Sequence, residues 1–155
     1  MMLVSNGFKE RFAAAMASVF NGGAIQIYTG SRPSTPNDLP STSPIATITN
    51  YGLPWSPSVT SNGLNFIAQG PYIVGDPTQT WMLIANEFAT LGNATWWRLM
   101  MPGDTGLPSL DNVRLDGDIG LKDSPAGQEI LLDSLTLTPG DTIPFNSFFY
   151  AIPPL

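Results

Sequence analysis

The chain of 155 residues contains no cysteine and no histidine. Without cysteine there is no disulfide, no thiol nucleophile and no means of reading the redox compartment. Without histidine the usual base of a nucleophilic triad is missing, and zinc sites built from Cys and His are excluded. Charge is also scarce: 12% of residues are charged, about half the usual share of roughly 25%. The six basic residues, Lys9, Arg11, Arg32, Arg98, Arg114 and Lys122, are scattered and form no run. A nucleic-acid footprint needs clustered Lys and Arg, so no DNA or RNA partner is expected. No apolar stretch approaches the ~20 residues of a transmembrane helix, so no membrane partner is expected. The opening MMLVSNGFKERF lacks a basic segment followed by a long apolar stretch and does not read as a secretory signal.

What remains is apolar and rich in turn residues. The hydrophobic fraction is 43%, with four Trp, eight Phe, four Tyr, fifteen Gly and fifteen Pro, and the net charge is −6. A chain of this length buries roughly 68–70% of the surface its unfolded form exposes, which suffices for one core without staples. A neutral, polar surface is poorly protected against association, consistent with cover by partners in an assembly.

Residues 5–20 read as a helix, capped by Ser5 or Asn6 and ended by Asn21-Gly22-Gly23. Phe8, Phe12, Met16 and Val19 recur at helical spacing and define its expected apolar face, with Lys9, Glu10 and Arg11 on the solvated side. From Ala24 onward the signals are strand and turn. Ala24–Tyr28, Ile45–Thr49, Leu64–Ala68, Ala94–Met101, Val113–Leu121, Ile130–Leu137 and Thr142–Ile152 read as strands, and Gly70–Thr80 as largely irregular. Trp81–Leu91 fits helical spacing as well as strand; strand is favoured for Trp81–Ala85. Short strands separated by Gly/Pro turns predict an all-β fold, a β-sandwich of jelly-roll type with one N-terminal α-helix. The expected division is a helix over 1–22 and a β-sandwich domain over 23–155. Ile25, Ile27, Leu99, Leu115, Ile119 and Trp96 or Trp97 form the expected core. On a strand the two tryptophans face opposite sides, so the other one lies under a loop or at an interface.

The catalytic inventory is thin. Lys9 and Lys122 carry no sign of burial that would activate an amine. Asp111, Asp116, Asp118 and Asp123 are the one concentration of hard ligands, but Asp116-Gly117-Asp118 lacks the rest of a calcium-loop pattern. The same residues on a strand read as a solvated face or as ion pairs to Arg98 and Arg114; calcium and a paired-carboxylate glycosidase are the rival readings. No enzyme, no metal and no cofactor is expected. A carbohydrate- or receptor-binding module is the rival class, with Trp55 or Trp81 beside Asp76. The segment Ser31–Pro44, with four prolines and six Ser/Thr, reads as a surface loop or as an arm along a neighbouring subunit. It is expected to serve binding and to be dispensable for folding, with Arg32 and Asp38 fixing orientation at the contact. Phe148-Phe149-Tyr150 is aromatic on both faces of a strand, which implies cover on both, by the helix or by another subunit. Arg32, Asp38, Phe148 and Tyr150 are therefore the candidate interaction residues.

The order of four short motifs carries a resemblance. Ile25-Gln26-Ile27-Tyr28-Thr29-Gly30 is followed by the Pro/Ser loop and Ala46-Thr47-Ile48-Thr49. Gly92-Asn93-Ala94-Thr95-Trp96-Trp97-Arg98 comes next, and Pro139-Gly140-Asp141-Thr142-Ile143 last. From about residue 8 to 150 the chain resembles a broad class of small bacteriophage virion structural proteins. Met100-Met101-Pro102 stands where that class has a more polar turn. The resemblance implies a non-enzymatic virion subunit: a capsid decoration or cement protein, a neck component or a tail component. Its implied partners are other virion proteins and further copies of itself, with a trimer the habit of the class and the virion its implied location.

Overall fold

The computed structural model describes residues 3–124, 127–145 and 148–151. Helix α1 (Asn6–Phe20) starts where the Ser5 hydroxyl accepts the Phe8 N–H at 3.2 Å, and its alanines favour helix intrinsically. It ends before Gly22, whose φ of +84° only glycine adopts without strain. The buried face is Ala13, Ala17 and Phe20, leaving Phe8 48% and Phe12 37% exposed. The expected face of Phe8, Phe12, Met16 and Val19 is thus corrected by about a third of a turn. Ala13 and Ala17 let the helix approach a sheet closely, so the small-residue stripe is the one that packs.

Ten strands are described. β1 (Ala24–Tyr28), β2 (Ala46–Asn50), β5 (Trp81–Ala85), β6 (Trp96–Met100), β7 (Arg114–Leu121), β8 (Ile130–Leu132) and β9 (Thr142–Pro144) form one sheet in the order β8-β7-β6-β1-β2-β5-β9. All neighbours are antiparallel except β7 and β8. β3 (Phe66–Gln69), β4 (Tyr72–Gly75) and β10 (Phe149–Ala151) form a second sheet in the order β10-β4-β3. The architecture is all-β with one N-terminal helix, two sheets enclosing one core in a sandwich-like arrangement. α1 packs on β3 and β4 of its own chain and contributes to the same core as the strands.

That core combines Ile25, Ile27, Ile48, Leu83 and Leu99 of the large sheet with an aromatic cluster. Phe66 meets Phe20, Trp81 and Phe148 edge-on, and Trp97 meets Phe148 at 5.4 Å between centroids. Such edge-to-face pairs add to the stabilisation from burial. Ile119 is buried and Leu115 packs half-buried against the cluster; Trp96 and Trp97 are both buried, on opposite faces of β6.

Two elements differ from the sequence reading. Residues 70–80 are not all irregular: β4 pairs with β3 through a two-residue turn, Gly70-Pro71, with Gly70 at φ +59°. The C-terminal stretch is not a single strand. β9 joins β5 in the large sheet, and β10 joins β4 in the small one. Pro144 has no N–H to carry the edge ladder onward. Phe145 and Phe148 turn into the core between the two strands. Ile152, the expected last residue of this strand, lies outside the described residues.

Candidate interaction surfaces

β1 and β2 are antiparallel neighbours, which a turn of 2–5 residues would join. The chain uses seventeen, residues 29–45. This long connection folds back over the outer face of the large sheet. Directly opposed residues of antiparallel strands share a face. The register Tyr28↔Trp96, Gln26↔Arg98, Arg98↔Asp116 and Met100↔Arg114 therefore places these side chains together. Tyr28 stacks on Trp96 at 4.2 Å with 9° between planes, and both are nearly inaccessible.

Two buried ion pairs hold the loop there. Arg98 donates through Nε and Nη2 to the two carboxylate oxygens of Asp116, both at 2.8 Å, and through Nη1 to the Asp38 carbonyl at 2.9 Å. Arg114 donates through Nε and Nη2 to the Asp104 carboxylate, both at 2.7 Å, and through Nη1 to the Pro36 carbonyl at 3.0 Å. Its Nη2 also reaches the Leu107 carbonyl at 2.6 Å, and the Ser109 N–H donates to the Asn37 carbonyl at 3.1 Å. The planar fork of arginine suits it to satisfy a carboxylate and a backbone carbonyl at once. Burial works to raise the Asp104 pKa. The hydrogen bonds from Arg114 and the Gly106 N–H, with the arginine charge, outweigh it and hold the carboxyl below its ordinary value. The hydrogen bond to Asp104 in turn raises Arg114. Burial pushes the Tyr28 phenol up to about 12.

The candidate residues are placed as follows. Arg32 lies at the rim of this face, its Nη1 3.5 Å from the Asp118 carboxylate and 3.5 Å from the Asp116 carbonyl. The Asp38 side chain is exposed, and it is its backbone carbonyl that takes the Arg98 contact. The loop that carries both is therefore tied to its own sheet, not extended as a free arm, because two buried guanidinium groups need its carbonyls. Phe148 is a core residue, 4% exposed, that reaches the surface only through the groove described below. Alternation puts its neighbour Phe149 outside, half exposed, against Tyr72 at 4.4 Å. Tyr150 is half-buried against the core, its pKa raised by burial and by the Glu129 charge.

The ion pairs expected of the acidic stretch form only in part. Asp116 takes Arg98, whereas Arg114 is held by Asp104, which the sequence reading had not singled out. Asp111, Asp116, Asp118 and Asp123 do not converge, and no three acidic side chains come together among the described residues. Trp81 is buried and donates its indole N–H to Gln79, and Trp55 donates to the Gly22 carbonyl, so both tryptophan N–H groups are used within the chain.

Among the described residues, two apolar surfaces are relevant to contact. One is the Phe8–Phe12 ridge of α1, the rings stacked at 6.4 Å. The other is the outer face of the small sheet, where Ile67, Val74 and Phe149 align in one row. This row borders a groove of about 580 Å³, also lined by Phe145, Phe148 and Asp76, a surface no sequence motif announced.

Comparison of the chain with family models, with curated proteins and with solved structures found no match.

Proposed function

We propose that this chain is a non-enzymatic structural subunit of a bacteriophage particle. It acts as a capsid decoration or cement protein, or as a head–neck component, through contacts with other virion proteins and with its own copies. One observation carries the reading. The surface presents an open aromatic ridge, Phe8 and Phe12, and an open apolar row, Ile67, Val74 and Phe149, on a chain in which most basic residues are already engaged internally. Interface cores are enriched in aromatic residues, as the Phe8–Phe12 ridge is, and charges belong at their rims, where Lys9, Arg11 and Asp76 lie. The motif order supports the same reading.

The test is imaging of phage particles with and without the protein, combined with quantification of its copy number in purified particles. Extra density at fixed positions, lost when the protein is omitted, is the expected result. Particles that never contain it would overturn the assignment.

A further inference from the structure

Of the six basic residues, Arg32, Arg98, Arg114 and Lys122 are in ion pairs within the chain. Lys9 and Arg11 are in none among the described residues, and both lie on α1. At 3.6 residues per turn, Lys9 and Arg11 fall on either side of the Phe8–Phe12 ridge, and Glu10 falls on the opposite side of the helix. The helix thus displays two exposed aromatic rings at i and i+4, flanked by two cations. That is the form of a helix that docks into a groove.

The groove bordered by Ile67, Val74 and Phe149 has the complementary character. Its walls combine apolar and aromatic side chains with Gln69, Gln79 and Thr80, its volume of about 580 Å³ lies within the range of about 300–1,000 Å³ typical of binding clefts, and its rim carries Asp76. The Asp76 carboxylate accepts the N–H and the hydroxyl of Thr78, which favours its charged form, and it is in no ion pair among the described residues. No residue of α1 lines the groove, so the chain's own helix does not fill it.

We propose that the Phe8–Phe12 ridge of one copy docks into the Ile67–Val74–Phe149 groove of the next, with Lys9 or Arg11 meeting Asp76. The contact is head-to-tail: knob and hole are different surfaces, so copies close into a ring or continue as a chain. This rests on the reading of the protein as a self-associating structural subunit and names the surfaces that would perform it.

The experiment measures the mass of the full chain in solution by light scattering and sedimentation for three proteins: the parent, a knob variant (Phe8→Glu with Phe12→Glu) and a hole variant (Ile67→Glu with Phe149→Glu). The parent associates at tens of micromolar, each variant alone is a monomer, and an equimolar mixture forms a dimer and nothing larger. That last result is specific to head-to-tail docking, since each mixed pair retains one intact knob and one intact hole. Thermal melting checks that each variant is folded. Should the hole variant not fold, Asp76→Lys at its half-buried position on the rim replaces it, and its weakened association is restored by mixing with Lys9→Asp/Arg11→Asp copies. A monomeric parent, a variant that keeps the parent's mass, or a mixture that stays monomeric would each overturn the proposal. A monomeric parent that is nonetheless incorporated into particles would overturn this docking mode and leave the structural-subunit reading standing.

Discussion

Shortening the connection between β1 and β2 is the most direct perturbation of this fold. Replacing residues 33–40 by two glycines keeps the hairpin closable, because the Ile45 N–H still meets the Ile27 carbonyl at 2.8 Å. The change removes the Pro36 and Asp38 carbonyls from Arg114 and Arg98, and both guanidinium groups are almost fully buried. A hydrogen bond to a charged group is worth about 1.5–3 kcal/mol, so two amount to roughly 3–6 kcal/mol, before any cost of uncovering Tyr28 and Trp96. Halving a loop recovers only about 0.6 kcal/mol of closure entropy. The net loss is therefore at least about 2 kcal/mol, against a total stability of about 5–15 kcal/mol for a natural domain. Urea unfolding followed by tryptophan fluorescence reads it as a lower midpoint at unchanged slope. A shortened variant within about 1 kcal/mol of its parent would refute the reasoning and return the loop to the role of a dispensable arm.

The ion pair beneath it gives a second outcome: Arg98→Met leaves Asp116 buried and unpaired and costs about 3–5 kcal/mol, while Arg98→Met with Asp116→Leu costs less than Arg98→Met alone, as a double-mutant cycle by denaturant unfolding will read. Phe148→Ala lowers stability by about 3–5 kcal/mol, whereas Phe149→Ala changes it by less than about 1 kcal/mol, a contrast readable in thermal melts. Gly75→Ala costs about 1–3 kcal/mol, since a Cβ there would stand 2.9 Å from the Trp81 ring; calorimetry checks it. For pH, the Tyr28 pKa is raised in the folded chain, so its contribution is complete below pH 10 and is lost as pH rises toward about 12; Tyr28→Phe flattens that alkaline limb in stability measured against pH. Asp104 has the opposite sign: its pKa is depressed on folding, so its contribution is present above its ordinary value of 3.8 and is lost as pH falls below it, and Asp104→Asn removes that acid-side dependence.

Local signals carried most of the architecture. Ser5 and the alanines marked the helix, and alternation marked β1 and β7, because capping and period-2 burial depend on neighbours in the chain; the face of β7 that holds Arg114 and Asp116 is nevertheless buried under the loop and not solvated. What was not legible depended on distant residues. The helix carries two apolar stripes, and only the sheet it meets selects Ala13, Ala17 and Phe20 over Phe8 and Phe12. Asp104 becomes a partner of Arg114 through the fold of the 101–113 loop, which no motif encodes. A usable clue did exist: Arg98 stands inside Trp96-Trp97-Arg98-Leu99-Met100, a strand buried at every position, and a charge so placed requires a partner and a cover. Reading the Pro/Ser segment as that cover would have tied it to the sheet. The groove was hidden for a similar reason, since which of Phe148 and Phe149 faces the core is set by how β10 pairs with β4.

The path of residues 142–151 has a kinetic consequence. β9 closes on β5 with Leu83 opposite Ile143, and β10 on β4 with Val74 opposite Phe149, so one short segment ties both sheets through contacts between residues far apart in the chain. Loop-closure entropy delays such contacts, and topologies dominated by them fold slowly, on the scale of milliseconds to seconds. Interactions absent from the transition state act chiefly on the unfolding rate. Substitutions in this segment will therefore leave the folding arm of a chevron nearly unmoved and steepen the rate of escape, making the last strands a latch that governs how long the native state persists.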